Sequence, residues 1–292
     1  MAGPGGGDTR SMAVFCDFEN VALGVRDAKY EKFDIAKVLE RLLLKGSIVV
    51  KKAYCDWERY KGFKAVMHEA AFELIEIPHV RQSGKNSADI RMVVDALDLC
   101  YTKAHVDTFV IVSGDSDFSP LVSKLRENNK AVIGVGVKQS SSDLLINNCD
   151  EFIYYDDLVR EKEASKRTSR RKPAKAKSAT RTAAAETTNE ITELQEPVPE
   201  DKDRSQQAMD LVLDTFEALL AERGGDEKIW GSMIKQALKR RKPGFNESYY
   251  GFKSFNGLLE EARARGLLGL ERDDKSGGYV VRAASQEAEL SD

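Results

Sequence analysis

Short apolar runs alternate with amphipathic stretches along the first 155 residues, and this alternation constrains the fold most strongly. Residues 12–16 and 108–112 have the unbroken apolar character of buried strands. Residues 34–44 and 87–102 carry apolar side chains at helical spacing. Alternating strands and helices predict βαβ units, a mostly parallel sheet and helices on both of its faces. The other predicted strands cover residues 48–54, 72–77, 131–137 and 151–155, and the other helices cover residues 59–71 and 121–127.

Acidic residues follow the predicted strands at one edge of this sheet. Right-handed crossovers place the carboxyl ends of parallel strands along the same edge, where ligands bind. Asp17 follows the first strand, and Asp115 and Asp117 follow the fourth. Asp89 lies in the first turn of the long helix at 87–102, which begins at that edge. The sequence therefore predicts that these four carboxylates meet.

The electrostatic cost of such a meeting points to a bound cation. Two unit charges roughly 4 Å apart repel by about 4 kcal/mol at an effective dielectric of about 20. Four carboxylates are therefore costly together unless they are protonated or offset by a cation, and carboxylate oxygens suit Mg²⁺ or Mn²⁺. An aspartate after a strand can also serve only as a helix N-cap. For Asp115 and Asp117 this alternative is weaker, because Ser119 before Pro120 is itself a typical helix start.

The long helix at 87–102 is expected to bury one apolar stripe and to leave Asp89 at its margin. Arg91 and Asp95 are four residues apart on the opposite face, so they are interpreted as a solvated ion pair and not as metal ligands. The predicted stripe consists of Ile90, Val93, Val94, Leu97 and Tyr101.

Other residues near the four aspartates have more than one interpretation. Asn20 could orient Asp17 or bond a phosphate, or it could be an ordinary turn residue. Its neighbour Glu19 is expected to be solvated. Arg81 and Lys85, just before Asp89, could contact a phosphate or belong to a mobile surface loop.

Residues 12–155 resemble the NYN family, a group of PIN-like nucleases. The resemblance rests on Asp17-Phe18-Glu19-Asn20, on residues 85–89 leading into the long helix, and on Ser113-Gly114-Asp115-Ser116-Asp117-Phe118. It implies a PIN-like domain over residues 11–158 and a metal-dependent ribonuclease that uses Mg²⁺ or Mn²⁺. On that resemblance Asn20 and Ser113 would support the pocket. The catalytic and metal-binding residues would be Asp17, Asp89, Asp115 and Asp117.

The composition changes sharply after Leu158, and apolar periodicity returns only at Met209. Residues 160–181 are rich in Lys and Arg, and residues 186–203 are rich in Glu and Asp. Neither block can bury enough apolar surface to offset the entropy lost on ordering. We therefore predict a disordered charged linker at 159–204, whose basic half either touches nucleic acid or is only a solvated spacer. A second domain is predicted at 205–284, followed by a tail at 285–292.

The second domain has the pattern of a small winged-helix α+β domain. Three helical patterns, at 206–223, 230–239 and 255–265, precede two short strands at 267–270 and 279–281. The segment resembles the LOTUS domain, also called OST-HTH, through Ile234-Lys235-Gln236-Ala237-Leu238, Pro243-Gly244-Phe245-Asn246 and Tyr250-Gly251-Phe252-Lys253-Ser254-Phe255. This resemblance implies RNA binding or docking of a protein partner. The basic residues that could neutralise RNA phosphates, or could simply be solvated, are Lys239, Arg240, Arg241, Lys242 and Lys253.

Charge and cysteine usage exclude several classes of protein. A net charge of −3 excludes a uniformly basic nucleic-acid coat but does not exclude local basic patches. No apolar run approaches the roughly 20 residues needed to span a bilayer, and the Gly-rich start lacks the apolar region of a secretory signal. Cys16, Cys55, Cys100 and Cys149 are widely spaced within mostly apolar stretches. We therefore expect a cytoplasmic protein with reduced, buried thiols.

Three functions are compatible with these features. The first is a metal-dependent endoribonuclease that hydrolyses RNA phosphodiester bonds and holds its RNA through the second domain. The second is a non-catalytic RNA-binding adaptor built on the same two domains. The third is a phosphatase with Asp17 as its nucleophile, which ranks last because such enzymes usually need a second Asp where this chain has Glu19.

Overall fold

The computed structural model describes residues 10–77, 87–160, 199–223, 228–273 and 277–284, with side chains described throughout except at 199–202. By their contacts, the described residues fall into two units. The first contains residues up to Val159 together with Ser232–Phe245, and the second contains Arg160–Gly231 together with the residues from Asn246 onward. Most of the predicted linker, residues 161–198, and the predicted tail at 285–292 lie outside the described residues.

Six parallel strands form the sheet of the first unit. Their spatial order is β3-β2-β1-β4-β5-β6, so the direction of winding reverses between β1 and β4. All neighbouring pairs are parallel, which confirms the predicted α/β fold. The strands are β1 (Arg10–Asp17), β2 (Gly46–Cys55), β3 (Glu73–Glu76), β4 (Thr108–Val112), β5 (Ala131–Gly136) and β6 (Glu151–Tyr154).

Helices flank this sheet, and four of them were predicted: α2 (Ile35–Leu43), α3 (Lys61–Glu69), α4 (Ser87–Thr102) and α5 (Ser119–Glu127). The helices α1 (Phe18–Asp27) and α6 (Asp143–Asn148) were not predicted. α1 begins directly after β1, so no loop residues separate the two patterns. α6 has six residues, which is too short for a helical period to be recognised.

The sheet separates two apolar layers, because alternate side chains of a strand point to opposite faces. Met12, Val14 and Cys16 of β1 belong to one buried cluster, which also contains residues of α1, α2 and α3. Ala13 and Phe15 belong to the other, which contains residues of α4, α5 and α6. All four cysteines are free and buried, as predicted from their apolar surroundings.

The predicted buried stripe of α4 is wrong for three of its five residues, whereas Val93 and Leu97 pack against the core. The side chains buried against the sheet are those of Met92, Ala96 and Cys100, spaced four residues apart. Ile90 and Val94, expected to be buried, are 62% and 55% exposed. Tyr101 is exposed as well, and Val93 and Leu97 are only partly buried. Apolar side chains occur on several faces of this helix, so their spacing alone did not identify the face that packs against the sheet.

Residues 199–223, 228–273 and 277–284, as far as the structure describes them, form three helices and a small sheet. The helices are α7 (Pro199–Arg223), α8 (Gly231–Arg241) and α9 (Phe255–Ala264), and α7 begins earlier than the predicted residue 206. The strands are β7 (Ile229–Trp230), β8 (Leu268–Arg272) and β9 (Tyr279–Ala283), in the order β7-β9-β8. The antiparallel pair of β8 and β9 confirms the predicted hairpin, whereas β7 was not predicted. Among the described helices, none has both the length and the apolar character required to cross a bilayer.

Two substitutions on α4 test the orientation of this helix. Met92→Ala should lower the free energy of unfolding by about 2–5 kcal/mol, because Met92 is fully buried and its truncation leaves a cavity. Ile90→Ala should change it by less than about 0.5 kcal/mol, because that side chain is largely in solvent. Denaturant titration measures both values. A larger loss for Ile90→Ala than for Met92→Ala would contradict the orientation described above.

Candidate active site at the carboxyl edge of the sheet

The two central strands bring distant polar residues together where the winding reverses. Asp17 is the last residue of β1, and Ser113 follows the last residue of β4. Because β1 and β4 are neighbouring parallel strands, their carboxyl ends lie side by side. This is the position at which open parallel sheets bind ligands.

The carboxylate of Asp17 is held by two hydrogen bonds. The Ser113 hydroxyl donates to its Oδ2 at 3.1 Å, and the backbone N–H of Asn20 donates to its Oδ1 at 3.4 Å. The second bond makes Asp17 the N-cap of α1. Asp17 is only 7% exposed, so its side chain is fixed inside the protein. The capping role and a place in the acidic cluster therefore belong to the same residue.

The loop after β4 is bonded to the same residues. The backbone N–H of Gly114 donates to Oδ1 of Asn20 at 2.9 Å, so the Asn20 side chain ties α1 to this loop. The backbone N–H of Asp115 donates to Oγ of Ser113 at 3.2 Å. Asp115 in turn accepts from the backbone N–H of Asp117 at 3.0 Å. These bonds fix the start of the loop that carries both aspartates.

Gly114 is required by close packing within this loop. A Cβ atom at this position would lie 2.5 Å from the backbone oxygen of Ser140. Contacts this short with a backbone atom do not occur between ordinary side chains and their neighbours. The glycine therefore allows the segment at 140–141 to pack directly against the site.

The prediction that Ser119 caps α5 is wrong. The N-cap position belongs to Phe118, which makes no side-chain capping bond, and Ser119 is already inside the helix. Asp115 caps the single 3₁₀ turn Ser116–Phe118 that comes before α5. The capping alternative for Asp115 is thus stronger than the sequence indicated. The Ser119 hydroxyl is buried and has no hydrogen-bond partner.

Burial and neighbouring charges shift the acidity of the site. Burial, followed by the charge of Asp89, raises the pKa of Asp17 from 3.8 to about 7, although the hydrogen bonds from Asn20 and Ser113 act in the opposite direction. Burial also raises the pKa of Asp89, with further contributions from Asp115 and Asp117. The carboxylates of Asp89 and Asp115 therefore lie close enough to Asp17, and those of Asp115 and Asp117 close enough to Asp89, to contribute to these raised pKa values.

The metal predicted for this cluster is supported only in part. Carboxylate oxygens are the donors that Mg²⁺ or Mn²⁺ prefers, and a cation would relieve the repulsion that raises these pKa values. However, within the part of the chain that the structure describes, no group of three or more acidic, His or Cys side chains is arranged to hold a metal ion. The carboxylate oxygens are of the right chemical type for a divalent cation, but the described side chains do not surround a single metal position.

Two other acidic residues differ from the sequence expectation. Glu19 was expected to be solvated, but it accepts from Nη1 of Arg59 at 2.9 Å, and its charge helps to raise the pKa of Asp89. The sequence did carry a signal for this proximity, because Glu19 comes only two residues after Asp17, the last residue of β1. Asp95 pairs with Arg91 at 3.0 Å as predicted, yet its side chain is only 12% exposed. It accepts a further bond from the Tyr54 hydroxyl at 2.8 Å.

The pKa of Asp95 is shifted in the opposite direction to those of Asp17 and Asp89. Burial by itself would raise the pKa of Asp95, but the hydrogen bond from Tyr54 and the nearby Lys52 and Arg91 lower it overall. Asp95 thus has cationic partners and stays ionised without a metal. The sequence interpretation that excluded it as a ligand agrees with these contacts.

The predicted RNA-binding residues lie in several places. Arg81 and Lys85 fall outside the described residues. Lys239, Arg240 and Arg241 form the last turn of α8, and Lys242 directly follows it. Within the first unit, Nζ of Lys239 lies 3.6 Å from Oε1 of Glu151. The side chains of Arg240, Arg241, Lys242 and Lys253 are exposed.

Comparison with known proteins bears on the domain that carries this site. Residues 11–156, half of the 292-residue chain, match the model of the NYN domain. The chain belongs to the NYN domain family. NYN domains have a PIN-like nuclease fold and are generally RNase-like nucleases. The match ends at residue 156 and therefore does not bear on the C-terminal residues.

Two proteins similar to this chain are themselves described as uncharacterized or of unknown function. An uncharacterized protein of Methanocaldococcus jannaschii is 30% identical over 141 residues, which are 47% of this chain and 55% of that protein. The chain thus spans about half the length of this curated relative. A solved structure of a protein of unknown function from Vibrio parahaemolyticus is 27% identical, with a TM-score of 0.47 over 53% of this chain and 98% of its own.

The raised pKa of Asp17 predicts a pH dependence of stability. In the unfolded chain this carboxyl titrates at its ordinary pKa of 3.8, and in the folded protein it titrates at about 7. Between these values the unfolded chain loses a proton that the folded chain keeps. The free energy of unfolding should therefore fall as the pH rises from 4 to 7, by about 1.4 kcal/mol per pH unit from this group.

Asp17→Asn should remove this component of the pH dependence, because an amide does not ionise. Denaturant titrations between pH 4 and pH 8, in chelator, measure the difference between the wild type and the variant. Asp98→Asn, at an exposed position of α4, is the matched control and should follow the wild type. Parallel curves for the wild type and Asp17→Asn would contradict the raised pKa.

Proposed function

We propose that this NYN protein is a metal-dependent endoribonuclease that hydrolyses RNA phosphodiester bonds at the carboxyl edge of the sheet. The observation that carries the proposal is the buried carboxyl of Asp17, whose pKa is raised to about 7 by burial and by the charge of Asp89. A helix N-cap needs no such group, since Ser or Asn caps a helix without an ionisation penalty. An acid kept in this position indicates a cation-binding role.

Asp17, Asp89, Asp115 and Asp117 are the residues that would hold Mg²⁺ or Mn²⁺. A divalent ion there would supply an activated water and would offset the charge that develops on the phosphate oxygens. The rest of the site is positioned by the chain itself. Ser113 and the backbone of Asn20 fix the Asp17 carboxylate, and the side chain of Asn20 fixes the loop at Gly114. Such fixed geometry favours catalysis, because little reorganisation is needed during the reaction.

A non-catalytic RNA-binding adaptor is the second candidate. It is favoured by one observation, that the described acidic side chains do not close around a metal position. The phosphatase alternative is weaker. A buried Asp17 with a pKa of about 7 is partly protonated near neutral pH and is a poor nucleophile. Glu19, at the place of the second acid, is paired with Arg59.

We further propose that residues 205–284 form a LOTUS-like winged-helix module that binds RNA and that residues 159–204 link it to the NYN domain. The helices and the antiparallel hairpin at these positions support a winged-helix pattern. The exposed Arg240, Lys242 and Lys253 would neutralise RNA phosphates. Docking of a protein partner is the alternative role for this module. The free, buried cysteines support a cytoplasmic location, where thiols stay reduced.

Cleavage of end-labelled single-stranded and hairpin RNA tests the enzymatic proposal. The wild type should cut in Mg²⁺ or Mn²⁺ and not in chelator. Asp117→Asn should lower the cleavage rate by about 100-fold or more, because loss of a ligand carboxylate lowers the affinity for the metal ion and slows the hydrolysis that the ion assists. Asp98→Asn should cut at the wild-type rate. RNA binding without any cleavage in either metal would favour the adaptor instead.

The salt dependence of RNA affinity tests the C-terminal module. Each phosphate contact contributes about 0.7 to the slope of log affinity against log salt for single strands. Replacing both Arg240 and Lys242 by Gln should therefore reduce this slope by about 1.4. The matched control replaces Lys29 and Lys103, which are exposed in the NYN domain. An unchanged slope for the first variant would indicate that the module docks a protein.

A further inference from the structure

A groove of about 710 Å³ opens beside two of the site aspartates. Asp89 and Asp117 line one part of it, and residues of α4, α5 and α6 line the rest. Its size falls within the range of about 300–1,000 Å³ found for small-ligand sites. The groove is contained entirely in the NYN domain and is contiguous with the proposed cutting site.

The walls of the groove are mainly aliphatic. Ile90 and Val94 of α4 line it, and so do Pro120 of α5 and Leu144 of α6. Ile90 and Leu144 are 62% and 58% exposed, so both keep apolar surface in water. These residues include the side chains of α4 that turn away from the sheet core. A flat apolar ligand placed between them would remove this surface from water, which is favourable.

One buried polar atom of the groove lacks a partner. Ser119 lines the groove and is only 5% exposed, and its hydroxyl makes no hydrogen bond. A buried polar group without a partner is unfavourable and is rare in folded proteins. The hydroxyls of Ser116 and Ser123 also line the groove. Because the Ser119 oxygen itself has almost no accessible surface, a ligand with polar atoms along its edge would meet the more exposed Ser116 and Ser123 instead.

The charge of the groove decides which part of an RNA strand fits it. The residues described as lining it include two aspartates and neither Lys nor Arg. At the end with Asp89 and Asp117 a bound cation would hold the scissile phosphate, but the described walls beyond it offer no cationic side chain for another phosphate. A nucleobase is uncharged, has two flat faces and carries polar atoms at its edge. The walls therefore match a base and not the backbone.

We propose that this groove binds one nucleobase of the RNA strand, with its faces against the aliphatic walls and its edge bonded to the hydroxyls of Ser116 and Ser123. The proposal rests on the proposed function, since it takes RNA as the substrate. The base belongs to a nucleotide beside the scissile phosphate, because Asp89 and Asp117 belong both to the groove and to the cutting site. The groove thus selects the nucleotide next to which the chain cuts.

An abasic scan tests the proposal with the full-length protein. One single-stranded RNA is prepared as a series in which a single base is missing at successive positions. Binding is measured by fluorescence anisotropy in chelator, where no metal-dependent cut occurs. One position should lose about tenfold in affinity, equivalent to about 1.4 kcal/mol. Cleavage in Mn²⁺ should fall for the same member of the series.

Groove variants show whether this penalty arises at the groove. When Ile90 and Leu144 are both replaced by Ser, the intact strand should bind about as weakly as the abasic strand. The difference in affinity between the two strands should therefore disappear. The control replaces Leu43 and Leu44, which are 61% and 81% exposed elsewhere in the NYN domain, and should keep the penalty. Ser123→Ala should change the preference among the four bases without lowering the denaturation midpoint, because Ser123 lines the groove and is exposed.

The possible outcomes separate this proposal from the nuclease proposal. A uniform effect of all abasic positions, or a penalty that survives in the groove variant, overturns the base site even if RNA is cut. An abasic penalty at one position without cleavage in either metal supports the base site and overturns the nuclease. Absence of RNA binding overturns both. If sedimentation shows a dimer that the groove variant dissociates while RNA affinity is unchanged, the groove is a contact between two copies of the chain.

Discussion

Everything at this site depends on a carboxyl group that the fold withdraws from water at the end of its central strand. The repulsion from Asp89 and the desolvation of Asp17 both oppose its ionisation, and the two hydrogen bonds it accepts offset only part of that. Those bonds come from Ser113 and from the start of α1, which are fixed by neighbouring strands. The group cannot move outward to recover its hydration. Its unfavourable energy must be offset by the two apolar layers around the sheet.

Much of the NYN domain was predictable because its two central strands are apolar runs and because Asp17, Asp115 and Asp117 lie at or just after their carboxyl ends. Parallel topology then placed Asp17 beside the loop after β4 without any knowledge of coordinates. The sequence could not show that α1 starts where β1 ends, since one residue closes the strand and caps the helix. It also suggested Ser119 as the cap of α5, although a 3₁₀ turn capped by Asp115 precedes that helix and leaves Phe118 at its N-cap position.

The orientation of α4 shows why periodicity alone was insufficient. Its sequence offers two apolar faces, and the one that meets the sheet contains the small residues Ala96 and Cys100 beside Met92. Helices pack more closely where side chains are small, and α4 lies against β1 and β2. This orientation brings the start of the helix, with Asp89, towards Asp17. It also leaves Ile90 facing the groove, so one packing choice positions both a carboxylate and an apolar wall.

Protonation and cation binding compete for the same carboxyl group. Without a cation, Asp17 holds a proton up to a pH of about 7, which reduces repulsion within the cluster. A bound divalent ion would require the ionised form, so it would displace that proton and would bind more tightly as the pH rises. An adaptor does not need the cation-bound, ionised form of Asp17, whereas a metal-dependent nuclease does. The two functions therefore differ in whether a cation displaces the proton of Asp17, which is a property of this fold that can be measured without any knowledge of the RNA target.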